Sequence, residues 1–304
     1  MKNNFHILTA TDYSTAVKNA ERYSLQLAHA ENAGLTFLHI YPALIPPPFP
    51  AYDMMIPGID ALPEEQKILE LYVDKMRMQL KFGGDVDISC RVREGTVTEE
   101  IVAEAEQAHV NLILIGTHEP GSFPGSLWAG HTWSTIRNSP CPVLSIPEDA
   151  LFKPVQKIAY LTEYKEEEIP AIRYLCQHVE RIGASLAVLH ISPFQSSMPL
   201  ESIVFENFLK ELGAKLSNHK FGFSLLHGED PVKVLNDFCA GEGCDWLAMS
   251  AGKSSLFTDF LNPYRKLTKQ MSFHTHIPLL TIPVGYSESE IIAAEEEWVD
   301  HVES

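Results

Sequence analysis

The 304-residue chain lacks any apolar stretch near the roughly 20 residues that a membrane-spanning helix needs. It also lacks a basic excess, since 23 Lys and Arg residues face 40 Asp and Glu residues, a formal net charge of −17. Nucleic-acid backbones are bound by stripes of Lys and Arg, so this composition argues against such a partner. The N-terminal segment enters a strand-like pattern at once, which leaves no room for a signal peptide. We therefore expect a cytoplasmic protein with neither nucleic acid nor membrane as a partner.

Cysteine is scarce and scattered. The five cysteines are odd in number, and no two of them form a C-x-x-C motif. In a reducing compartment such residues are small buried thiols rather than disulfide partners. His274 and His276 are two residues apart, but no cluster of Cys or acidic residues accompanies them. The sequence therefore predicts no metal site.

What the chain does contain is an internal repeat. Three motifs occur twice in the same order: ILTATDY (7–13) and IAYLTEY (158–164), LTFLHIYP (35–42) and LAVLHISP (186–193), CPVLSIP (141–147) and IPLLTIP (277–283). The first two pairs share one offset of 151 residues. Repetition in a fixed order predicts two copies of one domain.

These motifs set the expected domain boundaries. We predict a first domain at 1–149, a second domain at 154–286 and an acidic C-terminal tail at 287–304. The first copy carries a Pro-rich insertion at about 44–62, which contains several large apolar residues. The insertion is either a lid over a ligand or an arm packed against the other domain.

Strands alternate with helical patterns in both copies, which predicts doubly wound parallel sheets. We expect Ser14 to cap the helix that follows the first strand. Ile68, Leu71, Tyr72 and Met76 follow the insertion at helical spacing. In the second copy, Asp230 and Pro231 predict a cap followed by proline in the first helical turn.

Together these features resemble the universal stress protein family. The residues that carry the resemblance are Thr11-Asp12 at the end of the first strand, Leu38-His39-Ile40 at the end of the second, Gly95 before the third helix, and the Pro142-Val143-Leu144 strand. The resemblance covers nearly the whole chain apart from the insertion and the tail, and the repeat is similar to the double-domain members.

The resemblance implies an α/β fold of two repeated doubly wound parallel-sheet domains, of the adenine nucleotide alpha hydrolase-like type. It also implies that the two domains pair as an intramolecular pseudo-dimer through their last strands, Val143–Ile146 and Leu279–Ile282. A homodimer of the whole chain stays open.

Nucleotide-binding members of that family carry a G-2x-G-9x-G-[S/T] loop after the fourth strand, and the resemblance places the nucleoside contacts at Ala10, Asp12 and Ile40. The corresponding loop here, GTHEPGSFPGSLWAGHT at 116–132, keeps the first glycine as Gly116. Glu119 and Ala129 stand where the second and third glycines belong. A carboxylate repels polyphosphate, and a Cβ restricts close approach of the backbone.

Part of the loop still suits an anion. The remaining candidates for an irregular anion-binding nest, with Gly116, are Thr117, His118, Gly121, Gly130 and Thr132. The second copy departs further from the family pattern. Glu163 replaces the first acid, Ser250 replaces the first glycine, and Arg265-Lys266 occupy the Gly-[S/T] positions.

The sequence and the resemblance leave three functions open. The first is a non-catalytic universal stress protein that acts in stress response through an unknown ligand or protein partner, with degenerate nucleotide loops in both copies and no established cofactor. The second is an ATP or adenine-nucleotide sensor that uses the site of the first domain. The third, a nucleotide hydrolase, is disfavoured because the sequence shows no pyrophosphatase loop and no catalytic triad.

Overall fold

The computed structural model describes residues 5–42, 62–80, 86–117, 131–192, 199–228, 230–251 and 276–286. The predicted acidic tail at 287–304 and residues 44–61 of the predicted insertion lie outside these ranges. Within them, the chain forms two halves that repeat one α/β arrangement.

Each half contributes five strands. They are β1 (His6–Thr11), β2 (Gly34–Tyr41), β3 (Ile88–Glu94), β4 (Leu112–Thr117) and β5 (Val143–Pro147) in the first half, and β6 (Lys157–Leu161), β7 (Ser185–Ser192), β8 (Gly222–His227), β9 (Trp246–Ala251) and β10 (Leu279–Pro283) in the second. The α-helices are α1 (Lys18–Glu31), α2 (Leu62–Leu80), α3 (Val97–Gln107), α4 (His131–Asn138), α5 (Ile169–Ile182), α6 (Pro199–Lys215) and α7 (Pro231–Glu242). Among the described residues, no helix is long and apolar enough to cross a membrane.

The strands form a single ten-stranded sheet in the order β3-β2-β1-β4-β5-β10-β9-β6-β7-β8. Neighbouring strands within each half are parallel, as expected for a doubly wound fold. β5 and β10 are antiparallel, with Leu144 opposite Leu280. The prediction of two repeated doubly wound domains packed through their last strands is therefore confirmed.

The inner strands are apolar because helices cover both faces of the sheet. Ile7, Leu8, Leu35 and Leu38 of the first half are fully buried. The outermost strands β3 and β8 are instead mostly half-buried or exposed. This pattern places the core of each half along β1, β2 and β4 or their equivalents in the repeat.

The start of α1 differs from the prediction. The backbone N–H of Ser14 donates to Asp12 Oδ1 at 2.9 Å, and the helix begins at Lys18 after a Val17 N-cap that makes no side-chain capping bond. The expectation that Ser14 caps this helix is wrong, because Asp12 holds Ser14 in the turn that precedes it. In the second half, Asp230 does cap α7, since its side chain accepts from the N–H groups of Val232 and Lys233.

The buried face of α2 is also shifted from the predicted one. Leu69, Val73 and Met76 are buried, whereas Ile68 is 49% exposed and Leu71 is 62% exposed. The helical spacing alone does not select between these two faces. Contact with α1 and β3 selects the buried one.

The two halves meet through a buried hydrogen bond between residues far apart in the chain. Trp246 Nε1 at the start of β9 donates to Tyr23 Oη of α1 at 2.8 Å, and both side chains are buried. Beside it, Arg181 of α5 donates to Glu31 of α1 at 3.1 Å and lies 4.3 Å from the centroid of the Phe5 ring. α1 is therefore shared between its own half and the interface.

Each half also buries one carboxyl group beneath the end of its first strand. In the first half, Glu21 accepts hydrogen bonds from the Thr11 hydroxyl and, at 2.6 Å, from the Tyr72 hydroxyl. In the second half, Glu168 accepts from the Thr162 hydroxyl at 2.6 Å. Burial raises the pKa of each carboxyl to about 7, because desolvation disfavours the charged form more than the hydroxyl donors favour it.

Replacing Tyr23 with Phe tests the contact between the halves. The substitution leaves the buried Trp246 N–H without an acceptor, so we expect a loss of about 1–3 kcal/mol in the free energy of unfolding. Urea unfolding followed by Trp fluorescence measures it. Tyr41→Phe is the control, because the Tyr41 hydroxyl lies at the surface, 3.4 Å from Glu94. Equal losses in both variants would contradict a special role for the interface bond.

Replacing Glu21 with Gln tests the buried carboxyl. The pKa of Glu21 is raised from 4.5 to about 7, so this group stabilises the fold fully below pH 4.5, and that contribution is lost as the pH rises through 7. Relative to wild type, the Gln variant should therefore gain on the order of 3 kcal/mol between pH 4.5 and pH 8.

Urea unfolding at a series of pH values measures this difference between Glu21→Gln and wild type. Glu206→Gln, at an exposed position of α6, is the matched control and should track wild type at every pH. Parallel profiles for Glu21→Gln and wild type would show that Glu21 is ionised normally in the folded protein.

Candidate functional site

The crevice at the carboxyl ends of β1 and β4 is the expected ligand position in this topology. From β1, successive strands advance in one direction to β2 and β3, and then in the other direction to β4 and β5. Ligands of doubly wound sheets bind where this reversal occurs. The residues that surround this edge are therefore the first candidates for a site.

The structure brings four of the predicted site residues to this edge. Asp12 follows β1, Ile40 lies near the end of β2, and Gly116 and Thr117 end β4. Ala10 lies two residues before Asp12, opposite Leu38 in the strand pairing. Ala10 and Ile40 are both buried in the core.

Some of the other residues predicted for the loop lie outside the described part of the chain, and others are buried or bonded within the fold. His118, Gly121 and Gly130 lie outside the described residues, together with the substituted positions Glu119 and Ala129. Thr132 is buried in the first turn of α4, and the Thr117 hydroxyl donates to the carbonyl oxygen of Ile146 at 3.3 Å. The Thr117 hydroxyl is thus bound within the fold.

The turn after β1 is held by the Thr11 hydroxyl. Its oxygen accepts from the backbone N–H of Tyr13 at 3.0 Å while its hydrogen is donated to the buried Glu21 carboxyl. Tyr13 has a left-handed backbone with φ of 61°, a conformation that few non-glycine residues adopt. This turn sets the direction of both the Asp12 and Tyr13 side chains.

His39 ties the second strand to this turn. Its Nδ1 donates to the Thr11 carbonyl oxygen at 2.9 Å, which fixes the proton on Nδ1 because a carbonyl can only accept. The Tyr13 ring lies 4.4 Å from the His39 ring, and its edge meets Tyr72 of α2 at 5.1 Å. Tyr13 therefore covers the carboxyl end of β2 beneath α2.

We call the arrangement of Thr11, Tyr13 and His39 the strand-end corner. The second half has an equivalent corner. Thr162 accepts from the Tyr164 N–H at 3.0 Å, and His190 Nδ1 donates to the Thr162 carbonyl oxygen at 2.8 Å. Tyr164 also has a left-handed backbone, with φ of 63°, and its ring stacks on His190 at 3.9 Å. These equivalent residues of the two halves differ by 151 in number, the offset of the repeated motifs.

The corner of the second half is more apolar than that of the first. Three phenylalanine rings lie within 6.2 Å of Tyr164, measured between ring centroids: those of Phe205, Phe208 and Phe223. Glu163, which stands in place of Asp12, forms an ion pair with Lys165. The second half therefore fills this corner with its own side chains.

The end of the fourth strand also differs between the halves. A Cβ placed on Gly116 would lie 3.3 Å from Ala20 Cβ and 3.4 Å from Val17 Cα, so glycine lets α1 pack closely on β4. The equivalent Ser250 directs its hydroxyl to Tyr160 Oη at 2.7 Å. Helix packing thus gives Gly116 a role that is independent of any phosphate loop.

Thr11, Tyr13, Glu21 and their counterparts are not among the site residues predicted from the sequence. The repeat contained part of the signal, because ILTATDY and IAYLTEY share a Thr and a Tyr on either side of the acidic residue. The buried acid itself has no such signal, since Glu21 and Glu168 stand at different distances from their threonines.

Metal chemistry has no cluster to support it in the described ranges, where no group of three or more His, Cys, Asp or Glu side chains could hold an ion. The five cysteines are free thiols. The contacts described above for the corner of each half are hydrogen bonds, aromatic contacts and one buried carboxyl.

The fold of the whole chain is similar to that of several solved structures. A universal stress protein from Archaeoglobus fulgidus DSM 4304 aligns over 92% of this chain and 98% of its own, with 14% identity and a TM-score of 0.65. A functionally unknown protein from Pseudomonas aeruginosa PAO1 aligns over 99% of this chain and 98% of its own, with 14% identity and a TM-score of 0.59. A putative universal stress protein from Pseudomonas aeruginosa UCBPP-PA14 aligns over 98% of this chain and 99% of its own, with 15% identity and a TM-score of 0.57.

At these identities the structural likeness establishes the fold alone. No curated protein matches the chain in sequence. The family model described as "Universal stress protein family" matches residues 3–147, which span the first half from β1 to β5. This match over residues 3–147 makes the first half of the chain similar to the universal stress protein family.

Proposed function

We propose that this chain is a tandem universal stress protein whose two copies act in stress response without catalysis, by binding a ligand or a protein partner. The second half supports the tandem assignment because its strands follow the same order as those of the first half, counted outward from the β5–β10 pair. It also has the same Thr, Tyr and His corner at an offset of 151 residues.

The observation that carries the proposal is the close contact between a tyrosine ring and a histidine ring at the strand ends of both halves. Tyr13 on His39 and Tyr164 on His190 occupy the carboxyl ends of β2 and β7, beside the position where doubly wound sheets hold ligands. Each histidine uses its Nδ1 hydrogen to hold a backbone carbonyl. An imidazole fixed in this way supports the architecture rather than proton transfer to a substrate.

The loop substitutions support the same proposal. Glu119 and Ala129 replace two glycines of the phosphate loop in the first copy, and Ser250 replaces the first glycine in the second copy. Ser250 points its hydroxyl at the buried Tyr160. In the second copy, this residue contributes to the core instead of a phosphate cradle.

The second candidate is an adenine-nucleotide sensor, with ATP bound in the first half. The observation that favours it is the convergence of Asp12, Ile40 and Gly116 at one edge of the sheet. Asp12 is a shorter acid than Glu163, which forms an ion pair with Lys165. If a nucleotide binds, this edge of the first half is its place.

The experiment that separates these candidates is mass spectrometry of small molecules released from the purified, denatured protein, together with ATP titration calorimetry of the folded protein. We expect no co-purified nucleotide and no saturable heat with ATP, because the loop has lost two of its three glycines. Asp12→Ala and Glu163→Ala form a matched pair of variants at equivalent positions of the two copies.

Stoichiometric nucleotide, or saturable ATP binding that Asp12→Ala abolishes and Glu163→Ala preserves, would overturn the degenerate-loop proposal in favour of the sensor. Turnover of ATP to ADP or AMP by wild type, absent from Asp12→Ala, would overturn the non-catalytic assignment.

A further inference from the structure

We infer that the groove between α1 and α2 of the first half is a binding site for a small phosphate monoester. This basic groove is lined by Lys18 and Arg22 of α1 and by Tyr72, Lys75 and Gln79 of α2, and it encloses about 300 Å³. That volume is at the lower end of the range for small-molecule sites. The groove adjoins the strand-end corner through Glu21 and Tyr72, but its cations lie on α1 and α2, and the inference does not rest on the function proposed above.

Positive charge faces positive charge across the basic groove. Lys18 and Arg22 are one helical turn apart on α1, and Lys75 faces them from α2. Within the described part of the chain, none of the three forms an ion pair with a carboxylate. Like charges on facing helices destabilise their contact unless an anion lies between them.

This arrangement is unusual for a chain with a net charge of −17. Where cations approach each other elsewhere in the first half, the chain provides its own acid. Arg93 and Arg91 both reach Glu104, at 2.5 Å and 3.9 Å. Among the described residues that line the basic groove, Glu21 is the single acid, although acidic residues outnumber basic ones by 40 to 23 in the whole sequence.

Glu21, the acid that lines the basic groove, does not form an ion pair with these cations. Both carboxyl oxygens of Glu21 accept hydrogen bonds, one from Thr11 and the other from Tyr72 at 2.6 Å. Burial raises the pKa of Glu21 to about 7, even though the neighbouring Lys18 acts to lower it. Near neutral pH, Glu21 is therefore only partly ionised and offsets at most part of the charge of the three cations.

The second half provides an internal comparison. Its groove between α5 and α6 contains Arg173, the counterpart of Arg22 at the offset of 151, together with Lys215. Here Lys215 pairs with Glu166 and, at 3.2 Å, with Glu211. Arg173 donates to the Lys215 carbonyl oxygen at 3.4 Å. The second half thus pairs Lys215 with carboxylates and Arg173 with a backbone carbonyl, whereas the cations of the first-half groove have no such partners among the described residues.

The chemistry of the lining groups selects the class of ligand. A guanidinium binds phosphate with two parallel N–H···O bonds, and ammonium groups add point charges to the same dianion. Gln79 and the apolar part of Met76 extend the basic groove beyond the cations, which gives a polar organic group a place to lie. A phosphate monoester of a small polar molecule matches this combination of charge and size.

Titration calorimetry at low ionic strength tests the inference, with glycerol 3-phosphate and inorganic phosphate as probes and potassium chloride at matched ionic strength as the blank. We expect saturable one-to-one binding of glycerol 3-phosphate. The double variant Arg22→Gln/Lys75→Gln should weaken it by at least about tenfold, because each charged hydrogen bond contributes enough to account for such a factor. Tighter binding of glycerol 3-phosphate than of inorganic phosphate supports a monoester site, and equal binding of the two overturns the monoester class.

Two control variants locate the effect. Arg173→Gln changes the equivalent residue of the second half, and Lys153→Gln removes an exposed cation that does not line the groove, so both should bind glycerol 3-phosphate like wild type. The two residues changed in the double variant and the two changed in the controls lie outside the buried core. Circular dichroism verifies that each variant is folded. No saturable heat, heat reproduced by the chloride blank, or equal weakening by Arg173→Gln would each overturn the inference.

Discussion

The antiparallel pairing of β5 with β10 is the constraint on which the rest of the structure depends. Each half alone would end in a strand with a row of unpaired backbone N–H and C=O groups, which is a site for uncontrolled association. Pairing the two last strands satisfies those groups and makes one sheet of ten strands. It also relates the halves by an approximate two-fold axis, which brings α1 against the second half. The Trp246–Tyr23 and Arg181–Glu31 contacts exist only because of that placement.

A second constraint is common to both halves, namely the threonine at the end of the first strand. Its hydroxyl holds the following turn and donates to a buried carboxyl, and its carbonyl oxygen accepts from the histidine of the neighbouring strand. The acid comes from ten residues later in the first half and from six residues later in the second. A buried hydroxyl needs an acceptor, and the two copies meet that need from different elements. This requirement preserves the corner while its surroundings diverge.

Divergence between the copies is concentrated where ligands would be bound. The second copy surrounds Tyr164 with phenylalanine rings and pairs Lys215 of its helix groove with Glu166 and Glu211. The first copy keeps a pair of basic helix faces over a carboxyl group whose pKa is raised by burial. The two copies thus share an architecture, and we assign the ligand-binding capacity to the first.

The sequence by itself determined the strands, the repeat and the fold. Apolar runs such as Leu35–Ile40 specify buried parallel strands locally, and Asp230 specifies a helix start through bonds to residues two and three positions away. Only the tertiary structure decided which face of α2 is buried, why Ser14 does not cap α1, and that Tyr13 lies on His39. The burial of Glu21 and its contact with Tyr72 also follow from packing between helices that are distant in sequence. Periodicity encodes interactions within one element, whereas these features depend on which elements meet, and that is set by the sheet as a whole.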